Sequence, residues 1–208
     1  MTEGLFTVFL VDDDAGVLKA LSRLLRARGY DIKPFTSPQA FLADHDASMP
    51  GCAVLDVSMP GLDGLELQQA LTAGGSQRPV IFLTGKGDIP TSVRAMRAGA
   101  IDFLTKPVND ADLLAAIARA EKEDASTRHS NAEFDQINAR FAILTPRERE
   151  VMTHVVAGRL NKQIAGDLGT VEKTIKVHRG RVMEKLGVRS VADLVRLAEK
   201  AGISPAKL

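Results

Sequence analysis

Carboxylate, hydroxyl and ammonium side chains recur at the ends of short apolar runs in the first 106 residues of this 208-residue chain. Asp12 and Asp13 follow the run Thr7–Val11, and Asp56 lies at the end of Ala53–Val57. Thr84 ends Val80–Thr84, and Lys106 follows Ile101–Leu104. Three acids packed together repel one another, and some stay protonated unless a cation joins them. A hard divalent ion with oxygen ligands and retained waters, such as Mg²⁺, relieves that repulsion. In such company Asp56 can act as a carboxylate nucleophile and form an aspartyl phosphate. The cation and Lys106 would neutralise charge on the transferring oxygens. This chemistry requires four separated points of the chain to meet.

The intervening sequence supplies elements that could bring them together. The apolar runs, with a further one at Asp31–Phe35, read as five strands separated by amphipathic helices. Asp14 caps a helix whose Leu18, Leu21, Leu24 and Leu25 share a face, and Gly29 stops it. Ser37-Pro38 opens a short helix in the favoured cap-then-proline order. Helices over Leu65–Ala73 and Pro90–Ala98 follow, and another capped by Asn109 runs to about residue 121. Buried strands without polar alternation are what a parallel sheet covered on both faces requires. The fold class is therefore α/β, a doubly wound five-stranded parallel sheet. In such sheets ligands bind outside the carboxyl ends of the strands, where the strand order reverses. With the order 2-1-3-4-5, strands 1 and 3 are neighbours at that point, and all five groups open onto one pocket.

Beyond residue 121 the pattern changes. Residues 121–135 are strongly polar, and 122–140 reads as a linker, helical in part. Thr145-Pro146-Arg147-Glu148 is a helix start with cap, proline and capping-box glutamate in order. Helices are expected at 146–157, 161–168, 172–186 and 190–201, with no strand pattern after residue 105. The expected division is a domain at 1–121, a linker at 122–140 and a small all-α four-helix domain at 141–208. Charge follows it: residues 1–144 carry 14 Lys and Arg against 19 Asp and Glu, and residues 145–208 carry 13 against 7. A basic C-terminal third suits a polyanion. Asn161–Leu168, a turn at Gly169 and a helix over 172–186 have the plan of a helix-turn-helix. Ile175, Val182 and Leu186 form the buried stripe of that last helix, leaving Lys173, Lys176, Arg179, Arg181 and Lys185 mostly available for phosphates.

Composition excludes several classes. A single cysteine, Cys52, abuts an apolar run and reads as a reduced core thiol, so no intrachain disulfide can form. No apolar stretch approaches the roughly 18–20 residues that a membrane span needs, and the first residues lack a signal-peptide pattern. A cytoplasmic protein that makes no membrane contact is expected. A Mg²⁺-dependent phosphatase or phosphotransferase working through an aspartyl intermediate is the enzyme alternative. No substrate-binding insertion or cap domain is visible, so an enzyme is not expected. A regulator acting through protein contacts without phosphorylation is the other alternative.

Residues 5–121 resemble a receiver domain of the CheY type. The resemblance rests on Val11-Asp12-Asp13-Asp14, Leu55-Asp56-Val57-Ser58-Met59-Pro60-Gly61-Leu62-Asp63-Gly64, Leu83-Thr84-Gly85 and Lys106-Pro107. It implies that Asp56 is the phosphoacceptor and that Asp13, Asp56 and the Ser58 carbonyl bind Mg²⁺, with Asp12 acting through water. It also implies phosphoryl binding by Lys106, a cis peptide before Pro107, and a switch pairing Thr84 with Phe103. Ser58 and Lys86 occupy variable positions that tune loss of the phosphoryl group. Residues 144–200 resemble the LuxR-type helix-turn-helix of FixJ/NarL response regulators. The matches are Leu144–Val151, Gly158, Asn161-Lys162, Ile164-Ala165, Thr174-Ile175-Lys176-Val177-His178 and Lys185-Leu186. By analogy Lys176 and Val177 face base edges, while Lys162, Thr174, His178 and Arg179 lie near the backbone. Two positions depart from the pattern. Val171 stands where a Ser or Thr cap is usual, so the cap moves to Thr170 or weakens by about 1 kcal/mol. Gly180 replaces a position that carries a base-reaching side chain in some members, and costs about 1 kcal/mol of helix propensity relative to alanine. The implied partners are a histidine kinase as phosphodonor, double-stranded DNA, a second copy of the chain upon phosphorylation, and RNA polymerase.

Overall fold

The computed structural model describes residues 6–85 and 89–206. Strands β1 (Thr7–Val11), β2 (Asp31–Phe35), β3 (Gly51–Asp56), β4 (Val80–Thr84) and β5 (Asp102–Thr105) form one sheet in the order β2-β1-β3-β4-β5. Every pairing within it is parallel. The α/β expectation and the strand order are borne out. Helices α1 (Ala15–Arg26), α2 (Pro38–Asp44), α3 (Gly64–Ala73), α4 (Ile89–Arg97) and α5 (Asp110–Ala142) alternate with the strands or follow them.

The strands look uniformly apolar because both faces are covered. Val8 and Leu10 of β1 join Leu18, Leu21 and Leu25 of α1 and Leu113 and Ile117 of α5 in one cluster. Phe9 and Val11 of the same strand join Phe41, Leu67 and Phe82 in another. Successive side chains of a strand point to opposite faces, so each layer of helices receives every second residue. Asp14 caps α1 by accepting from the amides of Gly16 (2.7 Å) and Val17 (3.2 Å), and Ser37 caps α2 through the Ala40 amide.

The chain divides into two compact units, residues 1–128 and 129–208. The stretch 122–140, read above as a partly helical linker, is helical throughout as part of α5. Its polar residues near the start are engaged with the first unit. Asp124 is buried and accepts from the Gly51 amide at 3.2 Å and from Arg128 Nε at 2.8 Å. Arg128 also donates from Nη1 to the Ser48 carbonyl and from Nη2 to the carbonyls of Ala47 and Met49. Beside them, the Arg78 guanidinium lies 4.2 Å from the centre of the Phe9 ring and donates to His45 Nε2 at 3.0 Å. Arg128→Ala is expected to speed amide exchange over residues 122–128 by roughly tenfold, the loss of about 1.5 kcal/mol of charged hydrogen bonding. Exchange in the helices after residue 144 should not change.

The second unit contains α6 (Pro146–Val156), α7 (Asn161–Asp167), α8 (Glu172–Leu186) and α9 (Val191–Lys200). Ile137 and Phe141, from the end of α5, join Val151, Ile164, Ile175, Val182, Leu186 and Leu194 in its core. Thr145 and Glu148 form the expected capping box. Glu148 does more than cap: it is 2% exposed and accepts from Lys185 Nζ at 2.6 Å. Lys185 is therefore committed within the domain rather than available for phosphate, which corrects the reading given above. Its hydrogen bond, reinforced by the Thr145 amide, holds the Glu148 carboxyl at about 2, well below its ordinary 4.5. A depressed carboxyl contributes stability that is complete above pH 4.5 and is lost as pH falls from there toward 2. Glu148→Gln should destabilise this unit by about 2 kcal/mol at pH 6 and by roughly half as much at pH 3. The check is exchange of the slowest amides of α6 and α8 at both pH values; an equal loss at each would show that the charge is not responsible.

Candidate functional site

Three backbone hydrogen bonds just past the strand ends fix the loops that carry the site. The Asp12 amide donates to Phe35 O at 3.2 Å, the Val57 amide to Leu83 O at 2.9 Å, and the Lys106 amide to Thr84 O at 2.7 Å. The ladders thus continue one residue beyond the strands and hold Asp12, Asp56 and Lys106 above the same end of the sheet. Gly64 adds a close approach behind Asp56. A Cβ there would stand 2.3 Å from the Asp56 carbonyl oxygen, so only glycine lets α3 begin so near β3.

The side chains converge accordingly. Lys106 Nζ lies 2.6 Å from Asp12 Oδ2 and 2.9 Å from Asp56 Oδ1. The second oxygen of Asp56 accepts from the Ser58 amide at 3.2 Å, and Asp12 Oδ1 accepts from the Asp14 amide at 3.0 Å. Asp12, Asp13 and Asp56 each place a carboxylate oxygen within 4.8 Å of the others. Asp12 and Asp56 are buried while Asp13 is exposed, so the cluster has one open side. Burial pushes the Asp12 carboxyl above its ordinary range, against the pull of Lys106 and the Asp14 amide. Burial lowers Lys106, but its two carboxylate partners more than offset this and hold the ammonium above its ordinary value. Crowded acids around one half-buried ammonium make a site of high negative charge density with hard oxygen donors, which suits Mg²⁺.

The remaining expected receiver residues lie close by in the fold. Thr84 is buried at the end of β4. Ser58 is exposed two residues after the end of β3. Phe103 is partly buried, packs on the cluster containing Phe9 and Phe41, and has its ring centre 6.2 Å from that of Phe82. The Lys106–Pro107 peptide is cis. Lys86 lies outside the described residues.

In the second unit the expected contact residues sort into free and occupied groups. Lys162, Lys173, Lys176, Val177 and Arg181 are exposed. Thr174, His178 and Arg179 are half-buried, and Arg179 donates to Asn161 Oδ1 at 3.2 Å, tying α8 to the start of α7. The α8 cap remains at Val171 with no side-chain bond. The shift to Thr170 does not occur, and the first turn of α8 lacks a side-chain acceptor for its amides.

Comparison with known proteins matches both units. Residues 8–118 match the response regulator receiver domain, and residues 142–198 match the bacterial regulatory proteins of the luxR family. Response regulator protein TmoT of Ectopseudomonas mendocina is 45% identical over 193 residues, covering 93% of this chain and 88% of TmoT. Transcriptional regulatory protein FixJ of Bradyrhizobium diazoefficiens is 42% identical over 196 residues, covering 94% of this chain and 96% of FixJ. The solved structure of response regulator StyR is 46% identical, covers 95% of this chain and 100% of its own, and superposes with a TM-score of 0.81. Among the described residues no helix is long and apolar enough to cross a membrane. The chain belongs to the two-component response regulators that join a receiver domain to a LuxR-type DNA-binding domain.

Proposed function

We propose that Asp56 accepts a phosphoryl group from a phosphohistidine of a partner kinase and thereby controls DNA binding by the second domain. The observation that carries this is the ammonium of Lys106 shared between Asp12 and Asp56 beside exposed Asp13. In the step, an Asp56 carboxylate oxygen forms a bond to phosphorus as the phosphorus–nitrogen bond of the donor breaks, and the nitrogen pair returns to the imidazole. Asp12, Asp13, Asp56 and the Ser58 carbonyl are the residues that would hold Mg²⁺, which supplies charge neutralisation and orients the phosphoryl oxygens. Lys106 carries the rest of that neutralisation and keeps Asp56 placed for attack.

Thr84 and Phe103 provide the switch on this reading. The hydroxyl is drawn toward the phosphoryl oxygens, the aromatic ring moves inward, and the surface around α4 and β5 favours a second copy of the chain. Pairing places two α8 helices on a palindromic site. Lys176 and Val177 face base edges; Lys162, Lys173, Thr174, His178, Arg179 and Arg181 lie along the phosphates. RNA polymerase is a further partner of the bound dimer.

Footprinting the wild type with and without acetyl phosphate tests the linkage of the two sites. Protection should appear at lower protein concentration with the phosphodonor, and equal protection with and without it contradicts the proposal. Lys176→Ala separates reading from holding. It should weaken a matched site by roughly 10-fold or more and a scrambled one by much less. Equal weakening of both would make Lys176 a phosphate contact.

A further inference from the structure

The outward stripe of α8 carries Lys173, Lys176, Val177, Gly180 and Arg181, all exposed. Gly180 differs from the other glycines of this unit by its position, since Gly166 shares its helical backbone and open Cβ site but lies at the end of a short helix. Gly158, Gly169, Gly187 and Gly202 adopt positive φ, which explains them. Gly166 lies in the last turn of the short α7. Gly180 sits in the middle of a 15-residue helix with no positive φ. A Cβ built on it meets nothing within 4 Å. Neither backbone geometry nor packing within the domain requires glycine there, and helix propensity disfavours it.

The remaining use of a glycine is to let another surface approach the backbone closely. The neighbours specify that surface. Lys173, Lys176 and Arg181 suit phosphates and base acceptors, while Val177, one turn before Gly180, is an exposed apolar side chain. The major groove offers a single apolar group on its base edges, the C5 methyl of thymine. A position that presents only Cα hydrogens, beside an apolar neighbour, offers no donor or acceptor side chain to a base. It does offer room for a methyl.

We infer that Gly180 is a specificity-determining residue whose bare helix surface receives a thymine C5 methyl in the major groove. The inference rests on the reading of α8 as the groove-entering helix. Adding a methyl to the protein then competes with the methyl already on the DNA. Gly180→Ala fills the space, and uracil in place of that thymine empties it again.

The experiment uses the full-length chain with acetyl phosphate and a duplex that the wild type selects from a random-sequence library. Each thymine of the duplex is replaced in turn by uracil. Gly180→Ala should raise Tm by roughly 4 °C through helix propensity. It should nonetheless bind the selected duplex about tenfold more weakly, with scrambled duplex unaffected. At one thymine per half-site, uracil should weaken the wild type and restore the variant to within about threefold of it. A variant that binds the selected duplex like the wild type, no restoring uracil position, or a lowered Tm would overturn the inference while leaving the groove reading intact. A wild type that selects no duplex would overturn the groove reading, and the inference with it.

Discussion

Asp56→Asn is expected to reduce labelling of the chain by radioactive acetyl phosphate by roughly 10³-fold or more, the scale of losing a covalent nucleophile. The substitution is close to isosteric. Its amide oxygen can still accept from the Ser58 amide or from Lys106, the partners that hold Asp56 at 3.2 and 2.9 Å. What disappears is the second anionic oxygen, and with it both the proposed nucleophile and one carboxylate of the acidic cluster. A loss of labelling therefore reports chemistry rather than unfolding, and unchanged amide exchange over β3 and β4 provides the control. Asp63→Asn is the matched comparison, because Asp63 is an acid that caps α3 a few residues later. It should keep its label. Undiminished labelling of the Asp56 variant would remove the phosphoacceptor assignment and favour a regulator that works through protein contacts alone.

Most of the receiver was legible because its information is local. Four of the five apolar runs ended in chemically distinctive residues, and a parallel sheet has few ways to arrange them; the observed order is the expected one. The acidic cluster was legible for the same reason, since strand ends on one side of a parallel sheet converge. The end of α5 was harder to read. Residues 122–135 offer little apolar periodicity, and the contacts that Asp124 and Arg128 make within the first unit are polar, with backbone amides and carbonyls of residues 47–51. Backbone partners leave no pattern in a sequence. Lys185 illustrates a second kind of blindness. On a basic helix it looks like a phosphate ligand, yet its partner Glu148 lies 37 residues earlier and is recognisable beforehand only as a capping residue. The Val171 cap could be stated beforehand only as alternatives, and the structure leaves it without a side-chain acceptor.

Lys106→Met should have the second large effect, and its sign depends on the cation. The ammonium is the direct partner of two buried carboxylates, at 2.6 and 2.9 Å. Methionine keeps the length and apolar stem but leaves Asp12 and Asp56 facing each other without a positive charge. Removing one member of a buried ionic group costs about 3 kcal/mol or more, because the remaining charges stay desolvated. In EDTA the receiver should therefore lose stability by that order, read as faster exchange of the slowest amides of β1 and β3. Mg²⁺ should recover more stability in the variant than it adds to the wild type, since it then supplies the only compensating charge. Phosphoryl transfer should not recover in parallel: the cation restores the fold, while the charge that Lys106 is proposed to place on the transferring oxygens stays absent. A variant as stable as the wild type in EDTA would mean that the ion pairs contribute nothing to the fold. One that regains full labelling with Mg²⁺ would confine Lys106 to a structural role, and the acidic cluster alone would then have to account for the transfer.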